Sequence, residues 1–206
     1  MFTGDGASPA CGLAASGSVG AFAPRALACP ERGGTNRLVC RGSRRKSYPC
    51  SFGGLHTGPS PVGRARAGSK HHLLTDANGV PLAISLTGGH RNDVTQLLAL
   101  VDAVGPARGR RGHPRRRAER VLADRGYDHY KYRRELWARG VKPVIARRGA
   151  DHGSGLGSKR WVVERTFAWL HNLRRLRIRY ECSADLHLAF MQLGCAVICQ
   201  RMLAWP

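Results

Sequence analysis

The chain has 206 residues, enough for one domain with its own core, and carries 34 Lys and Arg against 13 Asp and Glu, a formal net charge of +21. A surplus this large favours nucleic acid or an anionic surface as partner. Seven scattered cysteines with no CxxC pair exclude a zinc ribbon and a thioredoxin site; no apolar run approaches the ~20 residues of a membrane span, and the N-terminus lacks the basic start of a signal peptide.

Residues 1–50, rich in Gly, Ala, Ser and Pro, show no period of 2 or 3.6 and read as an irregular segment ahead of an ordered domain over 51–206. "SKHHLLTD" (69–76) predicts a strand, "ANGVP" a hairpin turn around Asn78-Gly79, and "PLAISLTGG" (81–89) the returning strand. Asn92 or Asp93 caps a helix through "VTQLLALVDAV", whose apolar face is Val94, Leu97, Leu98 and Val101. The next segment, "GPARGRRGHPRRRAER", is too rich in Gly, Pro and Arg to be regular. Then come a short buried strand "RVLAD", a helix "HYKYRRELWARG" ending at Gly140, a strand "VKPVIA" and, after a second loop, a strong helix "RWVVERTFAWLHNLRRL". A final helix spans Ala184 to Met202; its polar interruptions at His187, Gln192, Gln200 and Arg201 make it a buried helix. A hairpin followed by alternating strands and helices is an α/β mixed sheet.

Two acids stand out. Asp124 ends "RVLAD", at the C-terminal strand edge where open α/β sheets hold their sites. Glu164 lies on the strong helix, off the Val163, Phe167, Leu170, Leu173 stripe and on a common face with Arg160, Ala168 and His171. Such a pair suits Mg²⁺, which takes few protein oxygens and keeps water or phosphate for its other positions. The residues alone leave a second reading open, in which Glu164 pairs with Arg160 and Asp124 caps the turn at Gly126. Cys195 and Cys199, four apart, read as small buried hydrophobes.

Residues 58–203, about seven tenths of the chain, resemble the C-terminal part of DDE-type insertion-sequence transposases of the short actinobacterial type. The stretches that carry the likeness are "TGPSPVGRARAGSKHHLLTD", "LTGGHRNDVTQLLALVDAV", "GRRGHPRRR", "VLADRGYD", "VKPVIARRG", "HGSGLGSKRWVVERTFAWLHNLRRLRIRYE" and "LGCAVICQRML". The resemblance implies an RNase H-like mixed sheet flanked by helices. It implies two divalent metals, Mg²⁺ or Mn²⁺, held by Asp, Asp and Glu, and DNA as partner, cut at the element's ends and joined to a target. It also implies a homodimer on DNA and a cytoplasmic, nucleoid-associated protein with no membrane partner. Asp124 matches the second Asp and Glu164 the Glu, as catalytic and metal-binding residues; Arg160 matches the signature's Arg. The signature's Tyr falls at Gly157 and its Lys at His171, which alters those two phosphate contacts.

The family's first Asp is not found. Counting back from Gly53 lands among Ser43, Arg44, Arg45 and Lys46, and Asp76 reads as a turn residue. The expectation is therefore a fragment, or a reading frame that changes near Cys50, with catalysis impaired; the alternative is a non-catalytic, basic DNA-binding remnant. Arginines cluster at Arg108, Arg110, Arg111, Arg115, Arg116, Arg117 and Arg120, and again at Arg174, Arg175, Arg177 and Arg179. The expected DNA contacts are Arg160, Arg165, Arg125, Lys70, His171, Arg115, Arg116, Arg117, Arg174 and Arg175. Trp137, Trp161, Phe167, Trp169 and Phe190 are expected to pack rather than stack on bases.

Overall fold

The computed structural model describes residues 19–21, 37–42, 48–61, 64–105, 118–149 and 157–204. Its strands are β1 Val19–Ala21, β2 Arg37–Gly42, β3 Tyr48–Pro49, β4 Gly58–Pro59, β5 Ala67–Asp76, β6 Pro81–Gly88, β7 Arg120–Ala123 and β8 Lys142–Ile145. The helices are α1 Leu97–Asp102, α2 Tyr130–Ala138, α3 Gly157–Asn172 and α4 Ala184–Ala204.

The hairpin forms where its turn chemistry demands. Asp76 accepts from the amides of Asn78 and Val80 at 2.9 and 2.8 Å, and Gly79 takes φ +94°. β5 pairs antiparallel with β6 on one side and with β2 on the other. β2 in turn runs parallel to β7, and β7 to β8, so the sheet reads β1-β6-β5-β2-β7-β8 with β3 and β4 added along β5. Antiparallel on one half and parallel on the other, with helices on both faces, this is the RNase H-like arrangement.

Pleating assigns each strand residue to a layer. On one face Val39, Leu73, Ile84, Leu86 and Leu122 meet Val163, Phe167 and Leu170 of α3 and Leu188, Met191 and Ile198 of α4. On the other, Leu74, Ala83, Val121 and Ala123 meet Leu97 and Leu100 of α1 and Leu136 of α2.

The structure corrects two expectations. Residues before Phe52 are not without elements: β1, β2 and β3 lie there, and β2 is central to the sheet. Their composition hid this because a central strand is covered on both faces and needs no alternation to hold its place. The final helix is also more apolar than expected. Ala184–Leu203, 20 residues of mean hydropathy 1.3, is long and apolar enough to cross a membrane by length and composition. Here one side of it enters the core while Leu186, Leu193 and Leu203 remain exposed.

The buried layer is also polar in one place. His187 Nδ1 lies 2.8 Å from Glu181 Oε2, His187 Nε2 3.2 Å from His71 Nε2, and His71 Nδ1 3.3 Å from His171 Nε2. Burial pushes His71 well below the usual histidine range and lowers His187, although Glu181 pulls the latter upward. Neutral imidazoles satisfy this line when each donates toward Glu181. Cys195 and Cys199 are buried free thiols, pushed up by burial to about 12 and about 11.

Candidate active site at the end of a parallel strand

Asp124 follows β7 directly and has the same pleat parity as Leu122, which puts it on the α3 side of the sheet. Its carboxylate caps the turn after the strand, accepting from the Arg125 amide at 2.7 Å, and its carbonyl accepts from the Tyr127 amide. Arg160, in the first turn of α3, reaches it: Nη1 stands 2.8 Å from Asp124 Oδ1, with the two side chains 20% and 15% exposed. That contact turns the Arg160 face of α3 toward the end of β7. Glu164, exposed and one turn further along the same face, is thereby carried to the same side. The geometry thus contains the capping role for Asp124 that the sequence left open, and Arg160 forms an ion pair with Asp124.

The Arg160–Asp124 distance is that of an ion pair, but its angle is not that of a hydrogen bond. Arg160 Nε and Nη1 are buried, and neither has a hydrogen-bond partner among the described residues. The turn itself is held by Asp128, Arg133 and Arg148, which no sequence motif marks. Asp128 accepts from Arg133 Nε at 2.6 Å and from the Arg148 amide at 2.8 Å, and Arg133 Nη2 donates to the Ile145 carbonyl of β8. Burial pushes the Asp128 carboxyl up, but donation from the Arg148 amide and the Arg133 guanidinium outweighs it, and the net shift is downward. An acid two residues ahead of a helix, with Arg five positions on, was the available signal.

The expected DNA contacts divide. Lys70 is engaged by Asp93 at 3.1 Å and by the Arg91 carbonyl at 2.8 Å, which takes it out of the set free to meet phosphate. Arg165 is held in place too: its guanidinium lies 4.7 Å from the ring centres of both Trp161 and Trp169 and donates to the Asn78 carbonyl at 2.6 Å. It ties α3 to the β5–β6 turn, where Thr166 Oγ1 also donates to the Gly79 carbonyl at 2.8 Å. Arg175 bridges Glu181 at 2.8 Å. His171 stacks on Phe167, its inner nitrogen on the histidine line. Arg125 lies half-buried at the Asp124 turn.

Arg174 and Arg177 are exposed and make no ion pair among the described residues, whereas Arg179 of the same cluster is fully buried. Arg115, Arg116 and Arg117 lie outside the described residues, as do Ser43 to Lys46, the stretch to which the family's first Asp counts back. Of the aromatics, Phe167, Trp169 and Phe190 pack as expected, while Trp137 and Trp161 are 57% and 50% exposed.

The family model described as the transposase DDE domain matches residues 42–199. The chain belongs to this family. A relative from Burkholderia cepacia, assigned to insertion sequence element IS402 as its transposase, is 55% identical over 197 residues, 95% of this chain and 92% of its own length. A second, from Brucella ovis and assigned to element IS6501, is 28% identical over 140 residues, 65% of this chain and 98% of its own length. The family likeness therefore begins well ahead of residue 58, and the expected frame change near Cys50 draws no support from it. Among solved structures, the piggyBac transposase synaptic complex with hairpin DNA overlaps at TM-score 0.47 and 10% identity, covering 79% of this chain and 45% of that one. The catalytic core of BIV integrase overlaps at TM-score 0.41 and 10% identity, covering 81% of this chain and 82% of that one.

Proposed function

We propose that this DDE-family chain is the domain that cuts an insertion sequence at its ends and joins it to target DNA, with Asp124 and Glu164 as two of its metal-holding carboxylates. What carries the reading is the Arg160–Asp124 contact, since it turns the face bearing Glu164 toward the C-terminal end of a parallel strand. The donor chemistry fits a hard cation: carboxylate oxygens with room for water and phosphate are what Mg²⁺ takes. When bound, paired divalent ions activate an attacking oxygen and stabilise a leaving one. Asp124 and Glu164 would hold them, and Arg174 and Arg177, past the C-terminal end of α3, would neutralise backbone phosphates.

Impaired catalysis is the second half of the proposal. β2, the strand parallel to β7, reads Arg-Leu-Val-Cys-Arg-Gly and offers no acid. With two carboxylates instead of three, metal is held more weakly and turnover is low.

The test is cleavage of DNA carrying the element's ends, in Mn²⁺ or Mg²⁺, by the wild-type chain, Asp124→Asn and Glu164→Gln. Weak metal-dependent nicking, lost by at least a hundredfold in both variants, is the expected outcome. Cleavage that survives both substitutions, or that proceeds in chelator, removes the two acids from the mechanism. Robust wild-type turnover removes the impairment alone.

A further inference from the structure

The guanidinium on Asp124 stands where a cation would be wanted. We propose that Arg160 is an internal counter-ion which a divalent metal must displace from Asp124, so that loading the site frees that guanidinium for the DNA backbone. The inference rests on the metal reading above and adds a competition to it.

Four observations converge. Arg160 Nη1 is at 2.8 Å from Asp124 Oδ1, inside the space a metal ion bound to that oxygen and its waters would need. The Nη1 contact is one of charge rather than an aligned hydrogen bond, since Nε and Nη1 have no hydrogen-bond partner among the described residues. Such a guanidinium has less to lose on leaving than one locked in a bidentate fork.

Arg133, on α2, and Arg148, after β8, are engaged by Asp128 and by the carbonyls of Ile145, Arg125 and Gly126. Finally, Arg160 sits one turn before Glu164 and its side chain is 20% exposed. Rotation of the side chain alone carries the charge outward while the helix, and Glu164 on it, stays in place.

Two cations on one half-buried carboxylate repel each other, so metal and Arg160 exclude one another there. An adjacent cation weakens a carboxylate's hold on a proton by roughly tenfold to a thousandfold, and a competing metal meets the low end of that range because it can lean on Glu164. By linkage, whatever engages Arg160 elsewhere, a DNA phosphate included, tightens the metal site. A guanidinium that merely braced α3 against the sheet would do neither.

Mn²⁺ binding to the full chain, followed by the electron-spin signal of the free ion, separates these cases. Arg160→Gln is expected to bind about tenfold more tightly than wild type. Arg160→Lys, which keeps a charge within reach, stays within about twofold of wild type, and Asp124→Asn loses the binding. Affinity in Arg160→Gln at or below wild type, with Asp124→Asn still defective, overturns the competition and leaves the metal site standing. Equal binding in all four proteins, or none in any, overturns the metal reading and the competition with it. A measurement on wild type alone guards against a misfolded variant. During a Mg²⁺ titration the Arg160 Nε–H resonance is expected to shift in step with occupancy, and a resonance that stays still while Mg²⁺ binds overturns the proposal.

Discussion

Two arginines on the same side of the sheet make opposite uses of the same chemistry. Arg179 is wholly buried and donates to the Glu181 and Cys182 carbonyls and to the Thr57 and Ser69 hydroxyls, so each of its three nitrogens is bonded. Arg160 is partly exposed, pairs with the Asp124 carboxylate, and leaves two buried nitrogens without hydrogen bonds among the described residues. A buried polar group is tolerated when every bond is made, and a group held with bonds unmade is free to change partner at small cost. Satisfaction, rather than charge, separates the arginine that builds the fold from the one that can serve the site.

The contrast is broken most directly by removing each in turn. Arg179→Met strands four acceptors at once and is expected to cost about 3 kcal/mol or more, a fall in melting temperature on the order of 10 °C. Arg160→Gln should cost less than Arg179→Met, because Asp124 keeps the Arg125 amide and some access to water. Melting curves showing equal losses would erase the distinction.

The histidines sharpen the same contrast through pH. His72 is fully buried on the face opposite His71, and burial, only partly offset by Asp93, lowers it to about 4. His71 and His187 shift in the same direction for the same first cause. Because the folded state resists protons that the unfolded chain accepts, the stability is complete above the ordinary histidine value of 6.5 and drains away as pH falls toward 4. His72 alone contributes about 3 kcal/mol to that loss. Urea midpoints taken from pH 7 to 4.5 should fall steadily, and less steeply in His72→Gln. A flat profile would mean that these rings are not sealed.

Much of this was legible in the residues. Asn78-Gly79 fixed the hairpin, and the spacing around Glu164 found both faces of α3, because local turn chemistry and helical period are written in neighbouring positions. β2 was missed because a six-residue strand with partners on both sides gains its stability from β5 and β7, far away in sequence. The arginine cluster misled for a related reason. Arg174, Arg175, Arg177 and Arg179 look alike in a run of charges, yet their fates depend on Glu181, Ser69 and Thr57, which only folding brings near.

That cluster supplies the finest division. Arg174 and Arg177 face solvent and leave the fold untouched when lost, so the double alanine variant should keep wild-type stability within about 0.5 kcal/mol. If they meet DNA, affinity for any sequence drops together, and the slope of log affinity against log salt shrinks by about one to two units. Arg175→Ala should behave in the reverse sense, since it uncovers Glu181, whose side chain is 2% exposed, and removes the guanidinium lying 5.3 Å from the Phe190 ring centre. Its melting temperature should fall while the salt slope changes little. An unchanged slope in the double variant would move the phosphate contacts off this helix end, and loss of stability there would mean that exposure is a poor guide to which arginines build the fold.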